Sequence, residues 1–219
     1  GAGSAGAVLA TRLTEDPDVR VLLLEAGGGA DNWLLRMPLG FLKALRRPEI
    51  TWPYWTEPEA HLNNRKLILP RGRLLGGSSS INGMVFMRGH SADFDRWAQM
   101  GCTGWSFADV LPYFRKMETS WRGDSALHGG DGPLSVTQNA TEWLCHDELM
   151  AAAKAAGHKI TEDIHDGDEE GVSRIELTID RKGRRASTYE AYLKPAMSRP
   201  NLTVQINALT QRVLTEGNR

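Results

Sequence analysis

The chain opens on Gly1-Ala2-Gly3-Ser4-Ala5-Gly6, and this G-x-G-x-x-G spacing constrains the fold more than any other feature of the sequence. In a dinucleotide-binding turn the first glycine permits a tight bend. The second lets backbone approach a pyrophosphate, and the third lets a helix pack closely on a sheet. The residues that follow supply the context such a turn needs. Ala5–Leu13 reads as a helix whose N-terminal N–H groups would face phosphate, and Val19–Leu24 is an apolar run of strand length. That run ends on Glu25, nineteen residues after Gly6 (25 − 6), where a ribose-binding acid belongs. A glycine-rich turn with an incidental acid at a strand end is the plainer alternative, and the turn–helix–strand order argues against it. The pattern predicts an α/β protein with a Rossmann-like dinucleotide-binding fold and suits NAD and FAD alike. The strand that should precede the turn is missing, so the sequence is expected to have lost its true N-terminus.

With 219 residues, the chain can form one large domain or a domain with a substantial insertion. Apolar residues at 41%, charged residues at 24% and a formal net charge of −1 exclude a global bias toward nucleic acid or an anionic membrane. Cys102 and Cys145 lie far apart and form no C-x-x-C pair, which points away from a zinc knuckle or a disulfide framework and toward a reducing compartment. No stretch approaches the roughly 20 apolar residues that span a bilayer. A cytoplasmic location is therefore expected, with peripheral attachment to the inner membrane left open.

Further along, Gly27–Glu59 is rich in glycine, proline and tryptophan without a helical or strand period, and reads as an ordered excursion stapled by Trp33, Trp52 and Trp55. Ala92–Gln99 and Ser106–Glu118 read as helices, the second opening on a Ser106-x-x-Asp109 capping pattern and interrupted by Pro112. His128–Pro133 is a turn cluster before a strand at Leu134–Thr137. A helix opens at Asn139, with Glu142 three residues on, and stops at Gly157. Strands are expected at Val172–Ile179, Leu202–Ile206 and Gln211–Thr215, and Ser187-x-x-Glu190 caps a helix ending before Pro200. The last residues, Glu216–Arg219, read as a hairpin turn without its second strand.

Residues Arg71–Arg88 form the second informative segment. Its glycines and small hydroxyl side chains allow backbone to approach a flat or charged ligand, and Asn82 offers both donor and acceptor groups. Gly1–Gly6, Val21-Leu-Leu-Leu-Glu-Ala-Gly27, Gly72-Arg-Leu-Leu-Gly-Gly-Ser-Ser-Ser-Ile-Asn-Gly83, His128-Gly-Gly-Asp-Gly-Pro133 and Gly183-Arg-Arg-Ala-Ser-Thr188 together resemble the glucose–methanol–choline (GMC) oxidoreductase family, most of all its choline dehydrogenase-type members. The likeness runs through nearly the whole chain in order.

This resemblance implies FAD rather than NAD. It assigns Gly1, Gly3, Gly6 and Glu25 to the ADP half of the cofactor, and Leu74, Asn82, Gly83, Met84 and Val85 to the pyrophosphate and isoalloxazine. Thr210, where many relatives carry valine, would meet the adenine through its backbone. Some relatives attach FAD covalently through a histidine just before the asparagine of this signature. Ile81 stands there in this chain, so dissociable FAD is expected. The implied organisation is an FAD-binding domain in residues 1–122, the start of an inserted α+β substrate domain in 123–180, and a return to the FAD-binding domain in 181–219.

The implied reaction takes a proton from an alcohol hydroxyl and transfers hydride from its carbon to flavin N5, with a small alcohol such as choline as substrate and an electron acceptor the sequence does not identify. No residue matches the family's catalytic histidine, which lies C-terminal to this sequence, so no catalytic residue is assigned and the chain alone is expected to be inactive. His90 and His128 are read as structural or solvent-facing. A calcium loop at Asp163–Gly171 is rejected because, with Asp166 at position one, position twelve is Leu177 rather than glutamate. No metal and no nucleic acid partner are expected. Three rivals remain: an NAD-dependent Rossmann dehydrogenase, a non-catalytic nucleotide-binding fragment, and a family member that is a lyase using FAD structurally.

Overall fold

The structure, a computed structural model, describes residues 1–138, 145–165 and 170–217. In chain order it runs α1 (Ser4–Leu13), β1 (Val21–Leu24), α2 (Trp33–Arg36), α3 (Phe41–Ala44), β2 (Thr51–Trp55), β3 (Ile68–Gly72), β4 (Val85–Phe86), α4 (Ser91–Gln99) and α5 (Phe107–Met117). There follow β5 (Glu118–Ser120), β6 (Leu134–Gln138), α6 (His146–Ala155), β7 (Glu176–Leu177), a π-helical turn (Tyr189–Leu193), α7 (Lys194–Ala196) and β8 (Leu202–Gln205). Two compact units result: Gly1–Met84 together with the segment from Lys182 onward, and Val85–Arg181. The first division falls after Met84, so the boundary expected after residue 122 lies inside the second unit. The return at Lys182 is one residue from the expected position.

The first unit is built on α1 and a parallel pair of strands. Val21 to Leu24 run beside Leu202 to Gln205 in register. Small side chains let the helix sit close to them: Ala7 and Ala10 are fully buried with Leu23, Leu202, Leu193 and Ala196. Arg199 and Asn201, just before β8, clamp the turn between α1 and β1. The Asn201 amide donates to the carbonyls of Thr14, Asp16 and Val19 at 3.2, 2.9 and 2.9 Å, and Arg199 donates to the Thr11 carbonyl at 2.5 Å. A crossover from β1 to a parallel neighbour is the Rossmann arrangement, and it pairs strands from opposite ends of the chain.

Within the excursion after Gly27, β2 and β3 form an antiparallel hairpin. Trp52 alone acts as a staple, stacked on Tyr54 with the Arg73 guanidinium 4.7 Å from its ring centre, whereas Trp33 and Trp55 are exposed. The strand expected at Gln211–Thr215 does not form. Val213 and Leu214 are 82% and 74% exposed, and no strand among the described residues pairs with them.

The second unit carries a four-stranded sheet in the order β4-β7-β6-β5. Of the strand expected at Val172–Ile179, only β7 pairs within this sheet, and Val172 makes an isolated bridge to Ile160. Helix α5 begins at the expected capping box: the Ser106 backbone N–H donates to Asp109, and the Asp109 N–H donates to Ser106 Oγ. The helix continues through Pro112. The helix start expected at Asn139, with Glu142, lies outside the described residues, as do residues 166–169 of the acidic loop; α6 is described from His146. No helix among the described residues is long and apolar enough to cross a membrane.

At the centre of this unit lies a buried ionic cluster. Glu118 Oε1 receives the Arg88 guanidinium at 2.8 Å, His128 Nδ1 at 3.0 Å and the Gly129 N–H at 3.1 Å. The other His128 nitrogen meets Asp163 at 2.8 Å, and Glu176 accepts from Trp121 Nε1 at 2.7 Å and Arg122 Nε at 3.0 Å. His128, read from sequence as structural or solvent-facing, is 3% exposed and takes the structural role, and His165 is 2% exposed. The bond to Glu118, against the opposing effect of burial, raises the His128 pKa above its ordinary value, and Asp163 adds to it. Burial works to raise the Glu176 carboxyl, but His165, Trp121 and Arg122 outweigh it and hold it at about 2.

The linkage has a definite sign. Because the fold favours protonated His128, its contribution is complete below the unfolded value of about 6.5 and disappears as pH rises through the elevated folded value. The urea midpoint of the second unit is therefore expected to fall as pH rises above about 6.5. In His128→Asn that slope should flatten, and equal slopes in both proteins would contradict the assignment.

Candidate cofactor site

The glycine turn is held in place by a carboxylate. Glu25, 6% exposed at the end of β1, accepts the Ala2 N–H on Oε2 at 2.7 Å and the Gly27 N–H on Oε1 at 2.9 Å. Gly6 fills a space no side chain could enter, since a Cβ there would lie 1.9 Å from the Gly1 carbonyl oxygen. Gly3 caps α1 without a side-chain hydrogen bond, and the first intrahelical bond is Ala7 N–H to the Gly3 carbonyl at 2.9 Å. The N–H groups at the start of α1 thus have no side chain closing them off, and the helix dipole favours an anion there.

The second motif packs directly on the first. The Gly76 N–H donates to the Ala2 carbonyl at 2.7 Å, and a Cβ on Gly77 would stand 2.7 Å from the Gly3 Cα. Gly76 and Gly77 both have positive φ, at 84° and 52°, a conformation glycine adopts at little cost. The three serines that follow close the turn on itself. Ser78 Oγ accepts the Gly72 N–H at 3.1 Å, Ser79 Oγ donates to Gly76 at 2.6 Å, and Ser80 Oγ donates to Leu75 at 2.9 Å.

Asn82 and Gly83 are exposed beyond this turn, and a Cβ on Gly83 would meet nothing within 4 Å. Met84 is buried in the left-handed region at φ 64°, its N–H donating to Asn82 Oδ1 at 3.0 Å. Leu74 and Ile81 are core residues, 0% and 1% exposed, so contact with a ligand at either falls to backbone. Asn207 and Ala208 donate to the Gly27 and Glu25 carbonyls at 2.8 Å each, which sets the exposed Thr210 two residues past the strand end that carries Glu25. Val85 opens β4 in the second unit and is exposed. Gly1, Gly3, Gly6, Glu25, Leu74, Asn82, Gly83 and Met84 thus belong to one compact unit.

Sequence reasoning left one participant unassigned. Arg185, 3% exposed, donates through Nη1 to Asn82 Oδ1 at 2.8 Å and to the Ser79 carbonyl at 3.2 Å, and through Nε to the Leu35 carbonyl at 2.9 Å. Its lowered pKa of about 10 has burial as its cause. The available signal was a basic run, Arg181–Arg185, which by composition reads as a solvated turn. Nothing in the run distinguishes Arg185 from its neighbours, because its burial comes from distant segments.

A glycine turn opening a helix beside a parallel strand pair, with an acid at the strand end, defines a Rossmann-like dinucleotide-binding protein. The sequence matches the GMC oxidoreductase family over residues 1–219, and the chain belongs to that family of flavoproteins. It is 49% identical over 224 residues to the oxygen-dependent choline dehydrogenase of Serratia proteamaculans, covering all of this chain and 40% of that protein. It is 46% identical over 226 residues to the mitochondrial choline dehydrogenase of Mus musculus, covering all of this chain and 38% of that one. The pyridoxine 4-oxidase structure from Mesorbium loti superimposes with a TM-score of 0.94 at 35% identity, over all of this chain and 43% of that one. The chain therefore spans about two fifths of the length of these curated relatives.

Two substitutions probe the cradle. Glu25→Ala leaves two buried N–H donors without partners and is expected to cost about 2–5 kcal/mol in urea unfolding. Gly77→Ala adds a Cβ against the Gly3 backbone at a left-handed position, and should cost at least about 2 kcal/mol. A loss below about 0.5 kcal/mol in either would show that the two motifs do not support one another as described.

Proposed function

We propose that this chain is the FAD-binding portion of an oxidoreductase that acts on the CH–OH group of a small alcohol, choline-like or another primary alcohol. The single observation that carries the reading is the backbone-to-backbone seating of the Gly72–Gly83 segment on the glycine turn. It surrounds the α1 N-terminus with two glycine-rich segments instead of the one that an NAD-binding turn needs. In this reading the first unit is the FAD-binding domain, and Val85–Arg181 begins the substrate domain.

The residues present suit FAD. Gly1 and Gly3 leave the start of α1 unobstructed for a pyrophosphate, and the Glu25 carboxylate keeps acceptor capacity for a ribose hydroxyl beside its two backbone bonds. Asn82 and Gly83 offer an exposed polar group and an open backbone to the ring system, and the Thr210 backbone contributes near the adenine. Ile81 has no nucleophilic atom and is buried, so the cofactor is held noncovalently. Bound FAD supplies the hydride acceptor for the alcohol carbon.

The resemblance places the base for the alcohol proton C-terminal to this sequence, and neither imidazole of the buried ionic cluster takes its place. Both ring nitrogens of His128 are engaged by carboxylates, and His165 is buried between the Arg88 N–H at 3.4 Å and Glu176 at 3.4 Å. Neither imidazole is open to a substrate. Electrons pass on to an acceptor of unspecified identity, and the location is cytoplasmic or peripheral to a membrane.

The test is made on purified protein. A flavin absorbance spectrum is expected, with all flavin released into the supernatant on acid denaturation, and flavin retained on the polypeptide would refute noncovalent binding. The 219-residue chain alone should oxidise no alcohol with a dye acceptor, whereas a longer protein that contains it should bleach its flavin anaerobically on addition of choline or another primary alcohol.

A further inference from the structure

Asn82 is exposed, yet its amide is not free to choose which atom faces outward. Oδ1 receives two hydrogen bonds from inside the fold, the Met84 N–H at 3.0 Å and Arg185 Nη1 at 2.8 Å. Both partners are donors with no acceptor capacity at the bonding atom. A flipped amide would bring NH2 against two donors and lose both bonds, so Nδ2 faces outward, and it has no partner among the described residues. The left-handed Met84 backbone, with its side chain 4% exposed, keeps the first of these donors in place.

Arg185 is itself immobilised. Besides Nη1, its Nε donates to the Leu35 carbonyl at 2.9 Å and its backbone N–H to the Arg36 carbonyl at 2.8 Å. No carboxylate forms an ion pair with it among the described residues, and Nη2 is buried without a partner. A buried cation left unpaired in this way is costly as structure alone. One hydrogen bond behind Asn82, it does more, because a charged donor on Oδ1 polarises the amide and strengthens the two Nδ2 donors.

We propose that Arg185 is a positioning residue for the cofactor: it locks the Asn82 amide with Nδ2 outward, so that Asn82 presents N–H donors to an acceptor atom of the bound flavin. This inference rests on the FAD reading above. It assigns Asn82 a polarity, donor and not acceptor, and gives the buried arginine its reason.

The experiment is a double-mutant cycle on the flavin-loaded protein and its apoprotein, read as the FAD dissociation constant by fluorescence quenching and as the midpoint potential of the bound flavin. Asn82→Ala and Arg185→Lys are each expected to weaken FAD by about tenfold, the worth of one hydrogen bond, and to lower the potential. The double variant should be no worse than Asn82→Ala alone, because Arg185 acts through that amide. Asn82→Asp keeps both inward bonds but turns the outward donors into an acceptor. It should lose more FAD affinity than Asn82→Ala while its urea midpoint holds or rises. Effects that add in the double variant, or an Asn82→Asp protein that binds FAD like the parent, would overturn the inference. Should Arg185→Lys fail to fold, Asn82→Asp decides by itself. A parent protein that binds no FAD would instead refute the flavin reading, and the inference with it.

Discussion

Everything in the first unit depends on two short segments of backbone touching without side chains between them. Gly76 donates its N–H to Ala2, and the Gly77 backbone approaches Gly3 more closely than any Cβ would allow. Glu25 then ties the same turn to the end of β1 by accepting the Ala2 and Gly27 N–H groups. These contacts place the start of α1, the strand end and the Asn82 loop within one rigid cradle.

The second unit is organised by a different force. Its centre is a chain of charges, Arg88–Glu118–His128–Asp163 and Arg122–Glu176, in which Arg88, Glu118, His128 and Glu176 are buried and Asp163 and Arg122 are partly buried. Such a network is expensive to bury and is tolerated only when nearly every group finds a partner. It gives the sheet a specific geometry and makes the unit's stability depend on pH through His128. It also removes the two imidazoles from candidacy as catalytic bases, a role their residue type alone would have suggested.

The glycine turn, the second glycine segment and the α5 capping box were legible in the sequence because their requirements are local. A turn that must pass close to another backbone needs glycine at fixed spacing, and a helix start needs Ser106 and Asp109 three residues apart. Where the expectation failed, the deciding partner was remote. Gln211–Thr215 has the composition of a strand, but a strand exists only by pairing, and no described neighbour pairs with it. Val172–Ile179 is apolar enough for one long strand, yet only Glu176 and Leu177 find partners in the sheet. The tryptophans of the excursion look equivalent in sequence, and only Trp52 has Arg73 and Tyr54 to pack on.

The sequence by itself determined the dinucleotide turn, the acid at the strand end, the small residues of the second motif and the family those motifs belong to, since each follows from the conformational freedom or chemistry of residues close together in the chain. Only the tertiary structure decided that the second unit begins at Val85, that His128 and His165 are internal ion partners, and that Arg185 stands behind Asn82. The physical reason is the same in all three cases. Burial and hydrogen-bond partnership are set by segments distant in sequence, Ser79 and Leu35 for Arg185, Glu118 and Asp163 for His128, and no local pattern encodes which distant group will arrive.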